Sequence, residues 1–168
     1  MNEGSSKSLL PLVEILISIG IFAIAVVLTL QLFLLARFLG NKTADTAKAI
    51  FEVQNVAESI KSMKTDADME NYIINELNAG IVKNVEDNMH YDVYYDGDWN
   101  VTGSGDGAVY KLKIDMNKVK YDSGVLYNFI LDFYKTEDYP FINNKNSDDT
   151  KDNIPLLVSV NASKFILN

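Results

Sequence analysis

SLLPLVEILISIGIFAIAVVLTLQLFLLA, residues 8–36, is a near-unbroken apolar run with one acid, Glu14, close to its start. The 22 residues of 15–36 carry no charge. At a helical rise of about 1.5 Å per residue they reach roughly 33 Å, the thickness of a bilayer's hydrocarbon core. The stretch therefore predicts a transmembrane anchor over residues 9–39, behind a short leader at 1–8. A signal peptide cut after Ala23-Ile24-Ala25 fits less well, because the run continues apolar past Ala25 for longer than such a segment needs. A carboxylate at the centre of a bilayer costs on the order of 2.5 to 3.5 kcal/mol, and less near its edge. Glu14, near the edge, can reach the headgroups or take a proton, so the acid alone assigns no role.

Beyond the anchor the apolar residues keep helical spacing. Phe38, Ala44, Ala47, Ile50, Phe51, Val53, Val56, Ala57, Ile60 and Met63 recur three and four apart, with Lys42, Asp45, Lys48, Glu52, Glu58 and Lys61 between them. This predicts a helical continuation over 40–64 whose apolar stripe lies on a core. Gly40 and Asn41 mark the expected break or bend. A short helix is expected over 68–79, capped by Asp66 or Asp68 and ended by Asn78 and Gly80.

The period then changes to two. In residues 89–96, Met89, Tyr91, Val93 and Tyr95 alternate with polar neighbours, and in 108–116 so do Tyr110, Leu112, Ile114 and Met116. Residues 125–134 are apolar on both faces and predict a central strand, and 154–161 with 165–167 supply one or two more. The fold class expected is α+β: a long N-terminal helix, transmembrane in its first half and amphipathic in its second, packed on a small antiparallel sheet within 89–168. The polar stretch 143–153 reads as a surface loop.

From Asn41 onward there are 13 basic and 21 acidic residues, which accounts for the net charge of −8 and argues against nucleic acid as a partner. Cysteine is absent and His90 is the single histidine, so the nucleophile, base and ligand sets of an enzyme are missing, and neither catalysis nor a cofactor is expected. His90 falls on the outward side of its strand and is expected to be exposed and unemployed. Asp96-Gly97-Asp98 begins like a calcium loop, but Val101 and Gly107 stand where that loop needs its glycine and its glutamate. Asp148, Asp149 and Asp152 read as solvated acids, and no metal site is expected. Tyr94, Trp99 and Tyr134 form either a contact patch or part of the core.

An apolar N-terminal helix with an acid near its start, an amphipathic continuation and then an antiparallel sheet resembles the type IV pilin family, pseudopilins included. Leu12-Val13-Glu14-Ile15-Leu16-Ile17-Ser18-Ile19-Gly20 looks like the beginning of a mature pilin. The resemblance implies a cut between Leu9 and Leu10 by a prepilin peptidase. It also implies an assembly role for Glu14, paired in a filament with the amino terminus of a neighbouring subunit. In the family glycine precedes the cut; here Leu9 stands there. Implied partners are the bilayer, other pilin-like subunits, the peptidase and an assembly platform. Orientation is read from domain length: N-terminus cytoplasmic, domain outside. The flanking charges, Lys7 on one side and Arg37, Lys42 and Lys48 on the other, weakly favour the reverse, although domains of this length translocate largely regardless of charge. The alternative is a signal-anchored extracytoplasmic binding or sensor domain that does not polymerise.

Overall fold

A computed structural model describes residues 6–85, 88–137, 139 and 154–167. The chain divides into two units, Met1–Asn41 and Lys42–Asn168. Helix α1 spans Ser6–Ser62, so the first unit holds its N-terminal part and the second unit the remainder. The backbone stays helical through Gly40 and Asn41, where a break was expected; the division into units falls there instead. Pro11 is accommodated inside the first turns of α1.

The second unit is an α+β domain built on one antiparallel sheet. Its strands are β1 (Gly80–Val85), β2 (Asn88–Tyr95), β3 (Val101–Thr102), β4 (Tyr110–Tyr121), β5 (Gly124–Lys135) and β6 (Leu156–Leu167). Their order is β1-β2-β4-β5-β6, with β3 pairing with β2. The sheet starts earlier than residue 89. β1 was not foreseen because GIVKNV is short and shows no clean alternation. The segment 154–167 forms a single strand rather than two. β4 extends five residues past Met116, since Lys118 and Lys120 continue the inward parity after the apolar signal has ended.

One face of the sheet carries Tyr91, Val93, Tyr95, Tyr110, Leu112, Ile114, Met116, Tyr127, Phe129, Leu131 and Phe133, all buried. The domain half of α1 contributes Ala49, Val53, Val56, Ala57 and Ile60 to the same core. Those positions are spaced by four, three, one and three, a stripe on one side of a 3.6-residue helix. Ala47, Ile50 and Phe51, read in the sequence as part of the stripe, lie outside it; Phe51 is 55% exposed. β5, expected to be apolar on both faces, buries one, and Ile130 on the other is 44% exposed.

After Ser62 the chain turns into α2 (Asp66–Asn71), whose N-cap is Thr65 rather than Asp66 or Asp68: the Thr65 hydroxyl accepts from the Asp68 backbone N–H at 3.2 Å. A π-helical turn over Tyr72–Glu76 follows, sealed by Leu77 N–H donating to the Tyr72 carbonyl at 2.9 Å. Asn78, at φ 49°, ends it in the left-handed conformation that asparagine tolerates. Met69 and Ile73 bring this segment onto the core.

The stripe distinguishes two neighbouring regions of α1 by burial alone. Ile60→Ala should destabilise the domain by about 2–5 kcal/mol, whereas Phe51→Ala should change it by less than about 0.5 kcal/mol. Denaturant titration of the full-length chain in detergent measures both.

Candidate functional site

In the first unit every large apolar residue from Leu12 to Leu35 that the helix presents is exposed, from 39% at Leu35 to 70% at Phe22. The segment is long and apolar enough to cross a membrane, and it lies near the N-terminus. An exposed apolar surface of this extent is far larger than a water-soluble monomer carries, so it calls for lipid or other helices around it. The hydroxyls within it are satisfied by the helix itself: Ser18 donates to the Glu14 carbonyl and Thr29 to the Ala25 carbonyl, both at 2.8 Å. The Glu14 carboxylate is the segment's single charge and is exposed on the helix surface. Leu9 and Leu10 lie in helical backbone, and Leu10 stands four residues before Glu14 in the sequence.

In the second unit two clamps of ionisable groups hold α1 and α2 to the sheet, and a further network lies on the sheet's open face. At one end of the core, Asp45 accepts from Tyr110 Oη at 2.9 Å, from Lys135 Nζ at 2.7 Å and from Tyr139 Oη. The Lys135 ammonium also lies 4.2 Å from the centre of the Tyr139 ring. Burial by itself raises the Asp45 carboxyl; the hydrogen bonds from Lys135, Tyr139 and Tyr110 outweigh it and hold it below the ordinary carboxylate range. At the other end, Asp66 accepts from Tyr127 Oη and faces Lys118 Nζ at 3.4 Å, while Lys164 Nζ donates to the Lys61 carbonyl. Sequence reading missed both clamps. Asp45 was findable in part: it lies four residues before Ala49, on the line of the buried stripe, where an acid needs a partner.

The open face carries Asp92, Asp115 and Asp132 among Lys111, Lys113 and His90. Lys111 pairs with Asp92 at 2.6 Å and Lys113 with Asp115 at 2.7 Å. His90 Nδ1 meets the other oxygen of Asp115, so the histidine is employed in this network and not idle. The strand pairing requires this, because His90 and Asp115 face each other across β2 and β4. Asn117 donates to Asn88, and Ser163 to Asn128 at 2.8 Å, along a neighbouring row.

Trp99 and the two tyrosines lie apart. The indole stacks on Tyr110, with ring centres 4.1 Å apart, and on Phe133 at 5.5 Å, against the core; Tyr94 and Tyr134 bond Asp92 and Asp132 on the open face. Trp99 has φ 68°, and its turn is held by Asp96, whose Oδ1 accepts from the N–H groups of Asp98 and Asn100, both at 2.9 Å. The Asp96 carboxylate is thus engaged by its own turn. Among the described residues no group of three or more His, Cys, Asp or Glu is placed to hold a metal ion. Asp148, Asp149 and Asp152 lie outside the described residues. Compared with known protein families, with curated proteins and with solved structures, the chain matches none of them.

The clamps set a pH window on both sides. Asp45, depressed in the fold, contributes stability that is complete above the unfolded value of about 3.9 and is lost as pH falls through its lower folded value. The phenols of Tyr110, Tyr127 and Tyr139 are raised, by burial first and then by their aspartates, and Tyr134 is pushed up to about 12 by burial and Asp132. Their contribution is complete below about pH 10, where unfolded tyrosine begins to ionise, and is lost as pH rises through the folded values. Asp45→Asn should destabilise the domain at pH 7 by about 1–3 kcal/mol and flatten the acid limb of the stability profile, leaving the alkaline decline from Tyr127 and Tyr134 in place. Unfolding midpoints across pH 3–11 check all three points.

Proposed function

We propose that this chain is a single-pass membrane protein of pilin-like kind, a minor pilin or pseudopilin that acts as a structural subunit and not as an enzyme. Its N-terminus is cytoplasmic and the α+β domain is presented outside the membrane. The observation that carries this reading is the exposed apolar helix of the first unit with one carboxylate, Glu14, near its start, in a chain that continues into a helix packed on an antiparallel sheet. In a bundle of such helices a buried carboxylate is at ease only where a cation meets it, so Glu14 fixes the stagger of subunits more than it adds stability. Its partner is the amino group of a neighbouring subunit, exposed when the bond between Leu9 and Leu10 is cut. Other pilin-like subunits, the lipid bilayer, a prepilin peptidase and an assembly platform are the partners this role needs.

Leu9, where the family has glycine, favours the second reading: a domain held outside the membrane by an uncleaved signal anchor, which binds or senses without polymerising. The two readings separate on the amino terminus of protein recovered from its own host's membranes. A chain beginning at Leu10 belongs to the assembling subunit; an intact leader belongs to the anchored domain.

Glu14→Ala supplies the functional test. Membrane insertion should be retained or improved, because a polar group leaves the apolar segment, while co-purification with assembly components should be lost. Co-purification undiminished by the substitution would overturn the role given to Glu14.

A further inference from the structure

Two Asp-Gly pairs lie in the turns before β4, Asp96-Gly97 and Asp106-Gly107, and the fold treats them in opposite ways. Without a Cβ, a glycine leaves its own nitrogen open to the side-chain carboxyl of the aspartate before it. Ring closure between the two needs a protonated carboxyl and a backbone free to swing. At Asp96 both conditions fail. Its carboxylate accepts from the backbone N–H and side-chain amide of Asn100, at 2.9 and 3.1 Å, and from the Asp98 N–H at 2.9 Å; these bonds hold it ionised, below the ordinary carboxylate range. The backbone there is closed as well, by Asp96 N–H on the Asn100 carbonyl at 3.0 Å and Trp99 N–H on the Asp96 carbonyl at 3.2 Å. Asp106 is exposed, and among the described residues its carboxylate has no hydrogen-bond or ion-pair partner. Gly107 stands at φ 74° and the Ala108 N–H donates to the Gly105 carbonyl at 3.2 Å, which makes residues 105–108 a type II turn with glycine at its third position. The N–H of that position takes no part in the turn's bond. Residues 103–107 are all exposed, so opening this turn breaks one backbone hydrogen bond and uncovers little.

We propose that Asp106-Gly107 is a site of spontaneous covalent modification, at which the main chain rearranges through a cyclic imide to an isoaspartyl linkage. The Gly107 nitrogen bonds to Cγ of the protonated Asp106 carboxyl, the hydroxyl leaves, and with the proton from nitrogen it forms water. The ring so made joins both Asp106 carbonyl carbons to one nitrogen. Water then re-enters at either carbon. Attack at Cγ restores aspartate, whereas attack at the main-chain carbonyl carbon breaks its bond to nitrogen and frees that carbon as the carboxylate, so the chain now runs through Cβ and Cγ. Water lost in the first step is regained in the second, and no enzyme, oxidant or cofactor enters. The linkage lengthens the main chain by one carbon before Val109, whose N–H and carbonyl are tied to Tyr95 and Thr136 at 2.9 Å each. The turn absorbs the extra atom and β4 keeps its register, so modified chains stay folded and accumulate with age. Asp96, by contrast, is preserved by its own turn.

This site belongs to the domain and is independent of the role given to Glu14. The test incubates the full-length chain, folded in detergent, at mildly acidic pH. Isoaspartate is measured by methyl transfer from S-adenosylmethionine with an isoaspartyl methyltransferase. Electron-transfer fragmentation of the tryptic peptide 84–111, which holds both pairs, then locates it. In the folded chain isoaspartate should build up several-fold faster at residue 106 than at residue 96; in denaturant the two rates should converge, since the bonds that shield Asp96 are gone. Asp106→Glu keeps the charge but has to close a slower six-membered ring, and should remove most of the methyl acceptance. Aged chains should keep the unfolding midpoint of fresh ones, and a fall would refute absorption of the linkage by the turn. Equal isoaspartate at the two pairs in the folded chain, none at residue 106, or methyl acceptance undiminished by Asp106→Glu overturns the proposal.

Discussion

Burial of one stripe of α1 against one face of the sheet is the constraint on which the domain rests. Ala49, Val53, Val56 and Ile60 are small or β-branched, which lets the helix come close to the aromatic floor made by Tyr91, Tyr127, Phe129 and Phe133. Dispersion and the hydrophobic effect supply the attraction but set no register along the helix axis. The register comes from the ends. Asp45 is held by Tyr110, Lys135 and Tyr139, and Asp66 by Tyr127 and Lys118, so the stripe is pinned at both limits by a carboxylate facing phenols and an ammonium. Directional bonds at the ends of a non-directional contact give one packing where several would have similar burial.

The same division of labour explains why the sheet can leave its other face open. That face is lined by charge pairs and amide bonds in rows across the strands, from Asp92 with Lys111 and Lys113 with Asp115 to the Asn88–Asn117 and Asn128–Ser163 pairs. Asp92 is buried, at 7% exposure, so its pair with Lys111 is well shielded, whereas the more open pairs of the row add little stability. They do keep the face soluble and hold strand register, since a slip of one residue would carry Tyr127, Phe129 and Leu131 into water. On the same face, the rings of Tyr121 and Phe165 lie 6.2 Å apart beside the β4–β5 turn.

Periodicity made most of this legible before any coordinates. The alternation in β2 and β4 located both strands and assigned their inner residues correctly, because a buried sheet face tolerates no exception over four or five positions. Asn78 announced the end of the short helix through its tolerance of positive φ. Two kinds of feature escaped. The stripe on α1 was misplaced by one residue at Ile50 and Phe51, because apolar side chains on a helix do not say which of two adjacent lines is buried. The clamps escaped because the partners of Asp45 and Asp66 lie 52 to 94 residues away, and nothing local at either position distinguishes a bonded carboxylate from a solvated one. His90 shows the same limit: its neighbour Asp115 is known only once strand register is known.

Trp99 has a consequence of a different kind. It is the chain's one tryptophan and it is seated over Tyr110 and Phe133, held there by the turn that Asp96 closes. Its indole therefore changes environment when the sheet opens and has no counterpart in residues 1–41. Emission from this side chain isolates the melting of the domain from anything the apolar helix does in lipid or detergent, so the protein carries its own optical separation of its two units.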